Sequence, residues 1–398
     1  MAKVAVLERK CDGCGRCLGS CPFGALELEN GVARMNSACK SCGSCVKACP
    51  QNAIIKLETR TVSVDKSKWR DILVFCEVSA GRLHPVSPEL IGKALELAAP
   101  LNYSVNAVIV GSGIKELANE LRHYGVNKVY AYDAPDLGYF RADAYAACVE
   151  DIIKHTRPSV VLVGSTLIGR SLAPRLATRF HTGLTADCTK LELRENSDLV
   201  QIRPAFGGNI MAQIITANTR PQFATVRYKV MDAPKRLSEA AGEIISRKTP
   251  EGVRDSRITL ISSQAVPPKK SISDAEVLVV GGRGLNKSAD LEMVKELARL
   301  LGGDWAVSRP LVEKGWAGNE RQIGLSGRTV RPKLIITCGV SGAIQFASCM
   351  NSTEYIVAIN TDPQAPIFKV AHTAIVGDIY EILPQMINNL KEGAHERL

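Results

Sequence analysis

The stretches Cys11–Pro22, CDGCGRCLGSCP, and Cys39–Pro50, CKSCGSCVKACP, are two copies of one pattern, C-x2-C-x2-C-x3-C-P. The first copy supplies Cys11, Cys14, Cys17 and Cys21; the second supplies Cys39, Cys42, Cys45 and Cys49. An iron–sulfur cube needs four soft thiolates converging from different directions. The short x2 steps wrap three thiolates around one cube, and the x3 step followed by proline sends the fourth away. A lone C-x2-C would leave zinc or a disulfide framework open. A duplicated four-cysteine run speaks against both. The spacing predicts two [4Fe–4S] clusters and a chain that moves single electrons.

Working outward, CDGCGRCLGSCPFGALEL aligns with CKSCGSCVKACPQNAIIK. Residues 1–65 are therefore expected to form one small two-fold unit. It is too short for a large core, and the clusters substitute for much of one. The cysteine run resembles that of bacterial ferredoxins, which implies a ferredoxin-like α+β fold. In two-cluster ferredoxins the fourth cysteine of each run ligates the other cube. Carried over, cluster one takes Cys11, Cys14, Cys17 and Cys49, and cluster two takes Cys39, Cys42, Cys45 and Cys21.

The chain has 398 residues, 45% hydrophobic and 23% charged, a globular composition long enough for two or three domains. No stretch has the length of a transmembrane helix, and the start MAKVAVLERKCDGC is too polar for a signal peptide. Cysteines at cluster spacing point to a reducing cytoplasm. The other five, Cys76, Cys148, Cys188, Cys338 and Cys349, are scattered and read as small buried hydrophobes. The net charge of +10 comes without a dense Lys/Arg stripe, and aromatics are only 5%. This argues for a solvated basic surface or a face for an acidic protein partner, and against nucleic acid. Membrane insertion is not expected.

After residue 65 the pattern changes. Buried-strand runs DILVFCEV, SVNAVIVG, KVYAYDAP and SVVLVGS alternate with helical SPELIGKALELAAPL, KELANELRHYG and RADAYAACVEDIIKHTRP. Alternation of this kind predicts an α/β domain with a parallel sheet over 66–230. Between 231 and 272 the pattern weakens into Pro, Gly, Ser and charge, which predicts a linker holding one strand, ITLISSQAV. A second α/β parallel-sheet domain is expected over 273–398, from EVLVVGGRGL through the helix IYEILPQMINNL to a frayed tail, KEGAHERL. In it, GGRG, CGVSG and AINTD each follow a strand. Glycine turns at neighbouring strand ends suit a phosphate-bearing dinucleotide in a crevice at the sheet's carboxyl edge.

LIITCGVSGAIQFASCMNSTEYIVAINTDPQAPIFKVAHTAIVGDIYEILP resembles the FAD domain of electron-transfer flavoprotein α subunits. VLVGSTLIGRSLAPRLATRFHTGLTADCT and RPAFGGNIMAQIITANTRPQFATVRYKVM resemble that family's first domain. An added ferredoxin-like segment is a feature of electron-bifurcating members, as in complexes such as caffeyl-CoA reductase. The resemblance implies an FAD site. Arg283 would lie near the phosphates, and Ser308 and Arg309 at the isoalloxazine ring. Ile323, Gly324, Leu325 and Ser326 match the family's V-G-Q-T loop over the ring. Ser341, Gly342, Ala343, Ile344 and Gln345 match the phosphate and ribityl turn. Asn360 would meet the cofactor's polar portion, and Asp378 with Ile379 the adenine side. Phe346 stands where many members carry a histidine beside the flavin, a departure that bears on the flavin potential.

The same resemblance implies partners: a β subunit with a second FAD that oxidises NADH, an acyl-CoA dehydrogenase-like flavoenzyme, and ferredoxin reduced through the clusters. The expected function is that of an electron-transfer subunit, with no catalytic acid, base or nucleophile of its own. Two other readings stand beside it. One is a non-bifurcating electron-transfer flavoprotein with a fused ferredoxin domain. The other makes the clusters a structural scaffold for docking.

Overall fold

The computed structural model describes residues 3–57, 64–205, 210–253, 256–264 and 271–395. The FGGN of the first-domain motif, at 206–209, lies outside the described residues, as do 254–255 and 265–270 of the expected linker. The chain forms two compact units, Met1–Ser63 and Val64–Leu398.

In the first unit β1 (Lys3–Val6) pairs antiparallel with β4 (Ile54–Leu57), and β2 (Leu26–Glu29) with β3 (Val32–Met35). Two short helices, α1 (Arg16–Gly19) and α2 (Ser44–Ala48), carry the third cysteine of each run. Each opens from a left-handed glycine, Gly15 at φ 71° and Gly43 at φ 83°. Other residues pay strain in that conformation, so the glycine after each C-x2-C belongs to the turn. The core is small: Ala25, Leu26, Ala33, Ala53 and Ile54 are buried, with Cys17 and Cys45 among them. The sequence repeat is thus a structural repeat.

The second unit begins with β5 (Ile72–Cys76), a hairpin of β6 (Val78–Ser79) and β7 (Arg82–Leu83), and α3 (Val86–Ala98). It continues through β8 (Val105–Gly111), α4 (Lys115–Leu121), β9 (Lys128–Asp133), α5 (Ala142–Thr156), β10 (Val160–Gly164) and α6 (Leu167–Arg179). Then come β11 (Leu184–Cys188), β12 (Lys190–Leu193), β13 (Leu199–Ala205), β14 (Ile210–Ile215), β15 (Gln222–Val226) and β16 (Glu243–Ser246). Seven of these strands form one parallel sheet in the order β11-β15-β10-β5-β8-β9-β16. β12, β13 and β14 make a separate antiparallel sheet. Every residue of β5, β8 and β10 is buried, because α3 and α4 cover one face and α5 and α6 the other.

The expected linker over 231–272 is corrected here. Its first part belongs to the sheet. β16 lies parallel to β9 at the sheet's edge, and the Arg247 guanidinium donates to the Asp151 carboxylate at 2.9 Å. Farther on, Ser256 Oγ donates to the Asp143 carboxylate at 2.9 Å. The strand EIIS escaped notice because four residues carry little pattern; the free edge of β9 makes it a strand. Conversely, the described part of ITLISSQAV is not a strand. Ile258, Leu260 and Ile261 are exposed there, and β-propensity without a partner ladder makes no sheet.

The last domain holds β17 (Val277–Gly281), α7 (Leu291–Leu300), β18 (Asp304–Ser308), α8 (Arg309–Glu313) and β19 (Gln322–Ile323). They are followed by β20 (Leu334–Cys338), α9 (Ile344–Ala347), β21 (Tyr355–Asn360), β22 (Thr373–Val376) and α10 (Ile379–His395). Its six strands are parallel in the order β19-β18-β17-β20-β21-β22. Strand order reverses between β17 and β20, where a crevice opens at the carboxyl ends. α10 packs against α7 and runs on to His395, so the tail expected to fray from Lys391 is helical that far. Among the described residues, no helix is long and apolar enough to cross a membrane.

Candidate cluster and flavin sites

The structure gathers the eight motif cysteines into the two crossed quartets. Burial pushes the Cys17 thiol up, and Cys11, Cys49 and Cys14 are the neighbouring thiols that add to the push. Burial likewise pushes Cys45 up, with Cys39, Cys42 and Cys21 beside it. Cys21, Cys39, Cys42 and Cys45 line one cavity of about 300 Å³, closed by Val4, Phe23, Leu26 and Met35. Backbone N–H groups aim at the sulfurs: Ala25 at Cys21 (3.3 Å) and Ala53 at Cys49 (3.3 Å), a two-fold pair, with Ala33 at Cys11 and Ser41 at Cys39, both 3.4 Å. Such donors favour negative charge on the sulfurs and are one of the levers on a cube's potential. Among the described residues no three His, Cys, Asp or Glu side chains close around a single-ion position. Each quartet supplies the four thiolates that a [4Fe–4S] cube needs, so the donor set fits that cluster. None of the thirteen cysteines is in a disulfide. The five outside the motif are buried, and burial pushes Cys148, Cys188 and Cys338 up to about 12, which keeps them inert.

In the last domain the turns after β17 and β20 press together at the reversal of strand order. Gly284 N donates to the Gly339 carbonyl at 2.9 Å, and a Cβ on Gly282 would sit 2.3 Å from that same oxygen. Only glycine permits this approach. Two cavities flank the junction. The larger, about 1130 Å³, is lined by Arg283, Ser308, Arg309, Ile323, Gly324, Leu325, Ser326, Ser341, Gly342, Ala343, Gln345 and Phe346. The second, about 980 Å³, holds Asn360, Asp378 and Ile379 and shares Arg283 and Ser341 with the first. Of the expected flavin residues, Ile344 alone lines neither; it sits half-exposed on the outer side of α9.

The two cavities differ in chemistry. The larger has the apolar walls of Ile323, Leu325, Val340 and Phe346 beside hydroxyls and the two amides of Gln322 and Gln345. The second is polar, with Asn286, Thr361, Asp362 and Tyr380, and lies at the N-terminus of the long helix α10. A flat apolar ring at one end, a polar nucleoside at the other and an anionic pyrophosphate beside the shared arginine would suit this set. The residues present therefore fit an FAD. Several were not singled out in the sequence. Glu313 lines the larger cavity and takes the Arg309 Nε at 2.9 Å. Gln322, only 4% exposed, donates from Nε2 to Ser326 Oγ at 2.8 Å. Tyr380 accepts from Asn286 N at 2.8 Å and donates to Asp290 at 2.6 Å, bracing the wall of the polar cavity. An (i, i+4) spacing from Arg309 could have disclosed Glu313. Tyr380 is ninety-four residues from Asn286 and left no local signal. Asn360 is structural as well as lining: its Nδ2 donates to the Val340 carbonyl at 2.9 Å and its Oδ1 accepts from Asp362 N at 3.0 Å.

Residues 72–251 match the electron transfer flavoprotein domain, 271–351 the electron transfer flavoprotein FAD-binding domain, and 10–54 the 4Fe-4S dicluster domain. The chain is 50% identical over 373 residues to the lactate dehydrogenase (NAD(+),ferredoxin) subunit LctC of Acetobacterium woodii, covering 93% of this chain and 89% of the relative. It is 41% identical over 325 residues to the electron transfer flavoprotein subunit alpha of Thermoanaerobacterium thermosaccharolyticum, covering 81% of this chain and 98% of the relative. It is 40% identical over 324 residues to protein FixB of Rhizobium meliloti, covering 80% and 92%. The cofactors are accordingly FAD and [4Fe–4S] clusters. The chain belongs to the electron transfer flavoprotein α-subunit family, in a form that carries an N-terminal 4Fe-4S dicluster domain.

Proposed function

We propose that this chain is the α subunit of an electron-bifurcating complex in the cytoplasm. Its β subunit carries the NADH-oxidising FAD, its last domain serves a flavoenzyme dehydrogenase, and its N-terminal unit serves ferredoxin. α subunits of this family pair with a β subunit, and 66–230 with the added strand β16 is the docking domain. When bound, FAD supplies one- and two-electron chemistry and each cube supplies one-electron chemistry. The protein's part is to hold and tune them. Arg283 would neutralise the pyrophosphate, Arg309 would set positive charge beside the ring, and Ser326, fixed by Gln322, would present its hydroxyl there. Apolar walls at Phe346 and Leu325 exclude water.

The carrying observation is the pair of crossed thiolate quartets on the same chain as the flavin cavities. The Acetobacterium relative supports it: a match over 93% of this chain takes in more than half of the cysteine-bearing unit, and that relative is named for NAD(+) and ferredoxin together. It also favours a partner acting on a 2-hydroxy acid such as lactate over the acyl-CoA dehydrogenase-like partner expected from the sequence. The test is NADH-driven ferredoxin reduction by the α/β protein with its dehydrogenase, supplied with either a 2-oxo acid or an enoyl-CoA. Ferredoxin reduction should require one of the two acceptors. Reduction without any acceptor would favour the non-bifurcating reading, and no reduction with either would leave the clusters a scaffold.

A further inference from the structure

Arg227 stands one residue past β15, in the first α/β domain, and reaches into the FAD domain. Its Nη2 donates to the Leu325 carbonyl at 3.1 Å, and its Nη1 lies 3.6 Å from Cys349 Sγ. The Asp187 carboxylate is 3.7 Å away, already held by the Arg170 guanidinium at 3.0 Å. The Arg227 side chain is only 13% exposed, and its Nε is buried with no partner. A guanidinium so enclosed and so incompletely paired is poor value for stability, since burying charge is costly unless every donor is met.

What it grips explains the placement. Leu325 belongs to the loop Ile323–Ser326, which lines the larger FAD cavity. Leu325 N donates to the Gln345 carbonyl at 3.0 Å, so the loop is tied on one side to the first turn of α9. Arg227 ties it on the other. The same loop also walls a crevice of about 1410 Å³ at the strand reversal of the seven-stranded sheet, where Glu77 and Thr166 meet. In a trans peptide the carbonyl and the following N–H point opposite ways. Anchoring the Leu325 oxygen on Arg227 therefore turns the Ser326 N–H away from the first domain and fixes that peptide plane.

We propose that Arg227 is a positioning residue. It sets the Leu325–Ser326 peptide from the first domain, so that the flavin's surroundings depend on how the two domains are docked. This rests on the reading that Ile323–Ser326 lines the FAD site. The test uses the α/β holoprotein with its FAD content measured. Two quantities are read: hydrogen exchange of peptides covering 322–328, and the flavin midpoint potential. Arg227→Ala should speed exchange there by about tenfold and shift the potential with FAD retained. Asp232→Asn, which removes the charge from a second contact to the FAD domain, at Arg331, should change neither. If the alanine variant does not assemble, Arg227→Lys keeps the charge but loses the fork, and both readouts should move the same way by less. Wild-type exchange and potential in Arg227→Ala, or equal changes in Asp232→Asn, overturn the proposal. Arg309→Ala, measured alongside, separates the two failures: if it shifts the potential while Arg227→Ala does not, the cavity reading stands and the coupling falls.

Discussion

Arg309→Ala and Glu313→Gln should move the FAD potential in opposite directions. The two side chains pair at 2.9 Å across one turn of α8, and both line the larger cavity. A cation beside the ring favours the negative charge that reduction brings, so its removal lowers the potential. Glu313 offsets that cation, so neutralising it raises the potential. Two unit charges about 4 Å apart interact by about 1 kcal/mol in water and about 4 kcal/mol at an effective dielectric of about 20. For a one-electron couple about 1.4 kcal/mol corresponds to about 59 mV, which brackets a bare cation at about 40 to 170 mV. Arg309 and Glu313 are 66% and 60% exposed and screen each other, so the lower end applies. A fall of about 40 mV is expected for Arg309→Ala, a smaller rise for Glu313→Gln, and both should shrink as salt rises. Potentiometric titration with FAD content measured is the assay. Shifts of the same sign, or unchanged potentials at full FAD occupancy, would refute the placement of this pair at the ring.

The crossed cysteine assignment predicts eight cluster irons per chain, with Cys49→Ala damaging the same cluster as Cys11→Ala, and Cys21→Ala the same as Cys39→Ala. Anaerobic iron analysis with electron paramagnetic resonance reads both; pairing within each run would contradict it. Glu89, 8% exposed on α3, has its pKa pushed by burial up to about 7, although Lys229 N donates to it at 2.9 Å. Its folded pKa lies above the unfolded value, so its contribution to stability is full below about pH 4 and is lost as pH rises through about 7. Glu89→Gln, which cannot ionise, should match the parent near pH 4 and exceed it by about 1–3 kcal/mol at pH 8. An equal difference in melting temperature at both pH values would count against a buried, titrating Glu89. Cross-linking a cysteine pair placed at Asp232 and Arg331 should slow electron delivery to the dehydrogenase with FAD still bound; full turnover in the locked protein would argue against domain motion.

The cysteine unit was legible because metal ligation writes itself into local spacing, and a glycine after each C-x2-C marks the turn. The parallel sheets were legible wherever a strand is fully buried and flanked by a long helix, as at β5, β8 and β10. What escaped was non-local. β16 is a strand only because β9 offers an edge, whereas ITLISSQAV has better β-propensity and no described partner strand. α6 was read only as part of a family motif, since Pro174 within it spoils a helical pattern. In the flavin site, strand-end residues such as Ser341 and Asn360 are marked by following apolar runs, whereas Ser308 is reached only through the family motif. Arg227 and Tyr380 carry no such mark, because each acts across about ninety residues of chain or more. Ile344 stands apart from the rest of its motif: it is half-exposed and lines neither cavity.

The shortened connection changes how motion between the two α/β domains must work. With β16, Ser256 and Arg257 bonded into the first domain, the connection narrows to the stretch between Ile258 and Ser271, not the whole of 231–272. A chain extends by at most about 3.6 Å per residue, so this tether bounds how far the domains can part, and a rotation of one against the other lies within that bound. The contacts that hold the docked arrangement suit such a rotation. Arg331 with Asp232 is an exposed pair, Asp232 being 80% exposed, and exposed pairs contribute about 0–1 kcal/mol. The Arg227–Leu325 bond has a charged donor, a class that contributes about 1.5–3 kcal/mol, but Arg227 also carries an unmet buried Nε whose desolvation opposes it. Together these two polar contacts contribute only a few kcal/mol, a range that one partner's binding energy can overcome. A domain held more tightly could not exchange partners, and one held less tightly would leave the Leu325–Ser326 peptide unset. On this account Arg227 must be strong enough to order the flavin loop and weak enough to let it go. That balance predicts that Arg227→Ala speeds domain opening while degrading the flavin site it leaves behind.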